Sequence, residues 1–202
     1  MTTATEPTTA TITLKARTLR AIIEQCLVAR GDMTRPALMG VNFTLKGGKL
    51  EACAADGFRL VLITADVEAS GDETALLDGA GLKALLPSLR GKAIADTSVT
   101  IAFDSEGAGF TIGNATVTVP AIDGTFPNFH QLIPPCDKPG GDHAAFNGGL
   151  IGEVMAVAAK YAGSGIVRLR LQSPSAPARL DWKHEPDGWT GIGVVMPMFV
   201  DW

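Results

Sequence analysis

Residues 40–67, GVNFTLKGGKLEACAADGFRLVLITADV, read as three strands in succession. Apolar and polar positions alternate over Gly40 to Lys46, Lys49 to Ala55 and Arg59 to Val67. Gly47-Gly48 between the first two is a two-residue hairpin signal, and Asp56-Gly57 reads as a second tight turn. Working upstream, Thr18 to Ala29 places Leu19, Ile22, Ile23, Cys26 and Leu27 on one helical face, and Ala10 to Ala16 alternates as a strand. The block is a strand, a helix and three strands.

The same order recurs twice. Thr74 to Leu77 reads as a strand and Ala80 to Leu89 as a short helix. Strands follow at Ser98 to Phe103, Gly109 to Gly113 and Ala115 to Pro120. A third block has a strand at Ala144 to Asn147, a helix at Gly149 to Tyr161, and strands at Val167 to Gln172, Ala178 to Lys183 and Trp189 to Val195. The repeat is about 65 residues. The predicted class is α+β with antiparallel sheets. One such unit has too little core to stand alone and two together suffice, so a third is expected to lack an internal partner.

Composition sets outer bounds. At 202 residues and 46% apolar the chain can bury one sizeable core or two small ones. It has no apolar run long enough for a membrane span, and Met1 to Thr11 is Thr-rich, with no basic-then-apolar signal. A disordered leader over residues 1–11 and a cytoplasmic protein with no membrane partner are expected. Cys26, Cys53 and Cys136 are far apart and no histidine stands at ligand spacing, which argues against a disulfide framework, a metal or any cofactor. His130, His143 and His184 fall in loop or solvent-facing strand, so no catalytic role is assigned to them. No nucleophile elbow or phosphate loop is present, Gly163-Ser164-Gly165 reads as a turn, and Asp56 has no acid-base companion. The chain reads as a non-enzyme.

Net charge is −4, but it is unevenly spread. Lys15, Arg17, Arg20, Arg30 and Arg35 outnumber Glu24 and Asp32 around the first helix, while acidic residues gather at Asp66 to Glu73 and Asp181 to Asp187.

Three segments carry a family resemblance. Thr34-Arg35-Pro36-Ala37-Leu38-Met39-Gly40-Val41, with Ala54-Ala55-Asp56-Gly57-Phe58-Arg59-Leu60 after it, resembles the "RP-x-L-x-G" and "TDGHRLA" strands of the bacterial DNA polymerase III beta subunit, the beta sliding clamp. Phe126-Pro127-Asn128-Phe129-His130-Gln131-Leu132-Ile133-Pro134 resembles its "FPNYRQVIP" segment, and Val194-Val195-Met196-Pro197-Met198 its terminal "VVMPM". Phe58 and Ala55 depart from the family's His and Thr, and Phe199 to Trp202 run past its usual end. Residues 12–135 resemble one complete domain of two units, most like the middle one. Residues 136–202 resemble half a domain, the second half of the last.

The resemblance implies a shortened clamp: helices on the inner face of a ring, sheets on its outer rim, double-stranded DNA held without sequence readout. The implied DNA-facing residues are Lys15, Arg17, Arg20 and Arg30 around the first helix, Lys83, Arg90 and Lys92 around the second, and Lys160 on the third. It also implies a pocket for a short peptide motif of DNA polymerase and repair proteins, at Leu38, Gly57, Phe58, Arg59, Leu60, Pro127, Leu132, Val194, Met196, Pro197 and Met198. Two methionines among aliphatic side chains suit such a site. Without the resemblance, Val194 to Met198 reads as the end of a core strand.

A family ring of twelve units needs four chains of three units. The expected homotetramer pairs the third unit with its own copy and closes through a free edge of the first unit, with a clamp loader as a further possible partner. The competing reading is a clamp-like adaptor or inhibitor that captures the same peptides and never encircles DNA. Basic residues on the helices discriminate against it.

Overall fold

The computed structural model describes residues 10–31, 34–135 and 144–200. Ala10 and Thr11, at the end of the expected leader, already belong to a strand, and residues 1–9 lie outside the described residues, as do Cys136 and His143.

The first unit runs β1 (Ala10–Lys15), α1 (Ala16–Cys26), β2 (Gly40–Lys46), β3 (Lys49–Ala55) and β4 (Arg59–Asp66). The last turn of its helix tightens to 3-10 geometry at Leu27–Ala29. The second has β5 (Glu73–Asp78), α2 (Gly79–Leu85) with a 3-10 extension at Leu86–Leu89, the one-turn α3 (Lys92–Ala95), β6 (Ser98–Asp104), β7 (Gly107–Ile112) and β8 (Ala115–Pro120). The third has β9 (Ala145–Phe146), α4 (Gly148–Tyr161), β10 (Arg168–Arg170), β11 (Ala178–His184), β12 (Trp189–Val195) and the short β13 (Pro197–Met198). Local chemistry sets the corners. Gly47 and Gly48 take φ of 56° and 75°, which lets Lys46 face Lys49 across a two-residue hairpin. Asp78 caps α2 by accepting from the Gly81 amide, and Asn147 caps α4 through the Gly149 and Leu150 amides.

Two antiparallel sheets result, ordered β1-β6-β7-β8 and β10-β11-β12-β4-β3-β2-β5, with β13 paired to β9 apart from them. The first strands are exchanged: β1 pairs with β6 of the second unit and β5 with β2 of the first. Neither unit's sheet is complete without the other, which is why they share one core. The fold class is α+β, three strand-helix-strand repeats with α1, α2 and α4 on one side of the sheets.

The third unit is less isolated than its sequence suggests. β12 adds to β4 over seven residue pairs, from Trp189 opposite Ala65 to Val195 opposite Arg59. Val154, Ala158, Leu180, Trp182 and Val195 join the core that contains Leu19, Ile22 and Ile23 of α1. A buried hydrogen bond from Trp182 Nε1 to Gln25 Oε1, 2.7 Å, ties its sheet to α1. A Cβ at Gly191 would lie 2.1 Å from that indole, so a side chain there has no room. The expected free edge is not the first unit's last strand: β4 is taken by β12, and β2 by β5. Among the described residues the terminal strands are β1 and β8 of the short sheet and β5 and β10 of the long one, β1 and β5 each meeting one further residue through the Ile12-Ala69 and Leu77-Ala121 bridges. Extended alternation shows that a strand forms, not which neighbour it finds.

Candidate functional site

The helical side carries a basic cleft of about 330 Å³ lined by Arg20, Glu24, Leu27, Arg30, Lys83, Leu86, Arg90 and Lys160. Each unit contributes: Arg20 from α1 and Arg30 just past it, Lys83 from α2 and Arg90 after its extension, Lys160 from α4. Arg30 reaches the cleft over Gly79, where a Cβ would come within 2.4 Å of its Cδ. Glu24 sits among these cations. Its carboxylate accepts from Arg20 Nε at 2.8 Å and Lys160 Nζ at 2.6 Å, with Arg90 Nη2 at 3.8 Å, and the Tyr161 hydroxyl donates to the same oxygen as Lys160. Burial pushes this carboxyl up, but hydrogen bonds from Lys160, Tyr161 and Arg20 outweigh it and bring it down to about 2. Tyr161 is raised by burial and then by the carboxylate it faces.

Five cations against one carboxylate leave the cleft positive although the chain as a whole is acidic. Arg30 and Lys83 have no ion pair among the described residues. The other predicted cations lie around it: Lys15 and Lys92 are exposed, while Arg17 is held by Asp187 at 2.9 Å and by Asp96. Glu24 and Tyr161 were not among the sequence expectations. The Arg20-Glu24 spacing of four on a helix is a readable signal; the Lys160-Glu24 pair is not, since 136 positions separate them.

On the opposite face of the long sheet lies an apolar patch. Cys53, Ala55, Leu60, Leu62 and Val194 are buried beneath Phe129, with Phe126, Ile133 and Ile192 packed around them. Phe126 meets Phe129 edge-on at 6.1 Å. Leu60 stands opposite Val194 across the β4-β12 ladder, and the Met196 amide donates to the Phe58 carbonyl at 2.8 Å. Beside this patch large apolar groups face solvent: Phe58 is 61% exposed, Met196 45%, Met198 49% and Leu132 50%. The Asp56 side chain holds the turn by accepting from the Phe58 and Arg59 amides, and Arg59 bridges Asp56 at 3.0 Å to Glu153 of α4 at 2.6 Å.

Of the eleven expected pocket residues, Gly57 and Arg59 lie at the Asp56 turn and the other nine fall in three places. Phe58, Leu60, Val194 and Met196 adjoin across the ladder, with Pro197 and Met198 leading on into β13. Leu38 and Phe58 line a cleft of about 280 Å³ with Arg35 and Asp56. Pro127 lines a broader open cleft of about 1030 Å³ with Phe126 and Phe129, and Leu132 ends the 3-10 turn Phe129–Leu132.

The family model for the DNA polymerase III beta subunit, central domain, matches residues 13–128, more than half of the chain. The chain belongs to this family. It is 31% identical over 106 residues to the beta sliding clamp of Synechococcus elongatus and 26% identical over 118 residues to that of Synechocystis. Each match covers 52% of this chain but only 28% and 30% of those proteins, so the chain matches less than a third of the length of these clamps. Among solved structures, the DNA polymerase III subunit beta of Pseudomonas aeruginosa superposes with a TM-score of 0.80 at 19% identity, over 99% of this chain and 69% of that one. The beta subunit of Thermotoga maritima gives 0.78 at 16% identity, over 100% and 68%. These structures establish the DNA clamp fold well past the 128th residue. Membership of the beta-clamp family agrees with the reading of the chain as a non-enzyme. Among the described residues no helix is long and apolar enough to cross a membrane.

Proposed function

We propose that this beta-clamp chain is a DNA sliding clamp that encircles duplex DNA as an oligomeric ring and tethers polymerase and repair proteins at its rim. The observation that carries the proposal is the basic cleft: three units, far apart in sequence, each turn cations to the same helical side. Such an array attracts the phosphate backbone of any sequence, and its contacts weaken as salt rises. No base-reading geometry is needed, because a clamp that slides must not read.

The rim half of the proposal rests on Phe58, Met196 and Met198, exposed apolar groups beside a buried apolar floor. A partner's short motif laid there buries its own apolar side chains against flexible methionines. Leu60 and Val194 belong to its floor, Gly57, Arg59 and Pro197 adjoin it along the chain, and Leu38, Pro127 and Leu132 extend the proposed site into the neighbouring clefts and the Phe129–Leu132 turn. The proposed range of residues 12–135 as a complete domain and 136–202 as half of one leads to a homotetramer, whose ring closes through the β8 edges and the third units rather than through the first unit. A clamp loader would then open it, and its place of action is the DNA of the cytoplasm.

One observation favours the adaptor alternative: Arg17, Arg20 and Lys160 are already paired with carboxylates of the same chain. Native mass spectrometry in moderate salt separates the two readings. A mass of four chains supports the ring; a monomer that still binds a clamp-motif peptide supports the adaptor.

A further inference from the structure

The first two units follow one wiring rule. The strand before each helix has two neighbours. On one edge it meets the segment just past its own unit's last strand, through the Ile12-Ala69 and Leu77-Ala121 bridges. On the other it pairs with the strand that follows the helix in the companion unit, β1 with β6 and β5 with β2. In both ladders the residue just before the helix faces the first residue of that companion strand, Lys15 opposite Ser98 and Asp78 opposite Gly40.

The third unit keeps only half of this. β9 meets β13, the segment just past its own β12, with Phe146 opposite Pro197. Among the described residues no strand pairs with its second edge, and none with the outer edge of β10. The residues between Pro120 and Ala145 are too few to supply a companion unit. Side chains around these edges show what is absent. Leu169 of β10 is 44% exposed, although its counterpart Val41 in β2 is fully buried. On α4, Gly152, Met155, Ala156 and Ala159 lie exposed at helical spacing on one side, opposite the buried Val154, Val157 and Ala158. A helix that is apolar on both sides belongs inside a core.

We infer that the third unit is an isologous docking surface for the third unit of a second copy of this chain, β9 of each pairing with β10 of the other. The register follows from the internal rule. Asn147 faces the partner copy's strand at the position of Arg168, Phe146 at Leu169 and Ala145 at Arg170. Phe146 and Leu169 then occupy the places that Leu77 and Val41 hold in the first two units, where both are buried. Two-fold symmetry makes every contact twice and leaves no bare edge on either strand. The inference rests on the clamp reading only for what the pair builds, since a dimer formed this way stands whether or not it encircles DNA.

The test is native mass together with cysteine cross-linking of the full chain. Wild type is expected to run as an even number of chains. Leu169→Asp and, separately, Met155→Asp should halve the mass while circular dichroism and binding of a clamp-motif peptide stay unchanged. Ala145→Cys combined with Arg170→Cys should give a covalent dimer on mild oxidation, and Ala145→Cys combined with Arg168→Cys, out of register, should give several-fold less. A wild-type monomer, a mass untouched by both substitutions, or equal cross-linking in the two registers would overturn the inference. Failure to bind DNA with the dimer intact would instead count against the clamp reading alone.

Discussion

Replacing Glu24 by Gln separates a DNA-binding cleft from an internal ion network, because the two readings predict opposite changes. In the folded chain Glu24 neutralises Arg20 and Lys160 and lies 3.8 Å from Arg90. A carboxyl held at about 2 instead of its ordinary 4.5 is worth up to about 3 kcal/mol by linkage. Lys160 and Arg90 are more than half exposed, so solvent screening reduces that to about 1–2 kcal/mol. The sign is fixed by the direction: this stability is fully present above the unfolded value near 4.5 and is lost as pH falls toward 2. Urea melts of Glu24→Gln at pH 7 should show the loss, and a shallower decline between pH 4.5 and 3 than wild type. On DNA the same substitution removes one negative charge from the cleft and frees two cations. Affinity for a linear duplex at low salt should rise by about 1 kcal/mol, roughly five-fold, with a log-log salt slope steeper by about one. Fluorescence anisotropy across a salt series reads both. A folded variant with unchanged or weaker DNA affinity would refute the assignment of this cleft to DNA.

Met196→Ala with Met198→Ala should weaken a clamp-motif peptide by on the order of 1–3 kcal/mol in a titration, with the melting temperature little changed because both side chains are half exposed; unaltered affinity would remove the rim groove. Gly191→Ala should cost about 2–3 kcal/mol in a thermal melt, because the new methyl meets an indole that its bond to Gln25 holds in place. A loss below about 0.5 kcal/mol would mean that Trp182 is not fixed as described.

Much of the architecture was legible because alternation and turn chemistry act locally. β2, β3, β8 and β12 begin and end where the pattern places them. Both early helices stop sooner as α-helix and finish in 3-10 geometry, and α3 was missed because four residues carry too little periodicity to register. What the pattern withholds is partnership. Nothing in the spacing of Ala10 to Lys15 says that its partner is β6, 83 positions from its own last residue, and nothing in Trp189 to Val195 points to β4. The same limit governs the site. The basic residues were readable as types, and the helices gather them, but Glu24 at their centre acquires its role only when α4 brings Lys160 and Tyr161 across. Asp56 read as a turn residue and is one; its second task, orienting Arg59 toward Glu153, depends on the docking of α4.

Topological retention tests the central claim most directly. The protein is allowed to thread onto linear duplex DNA biotinylated at both ends, streptavidin is added to block the ends, and bound protein is measured after a high-salt wash that abolishes phosphate contacts. A ring predicts retention on blocked DNA and loss from unblocked DNA of the same length; equal loss from both would show that the chain does not encircle the duplex.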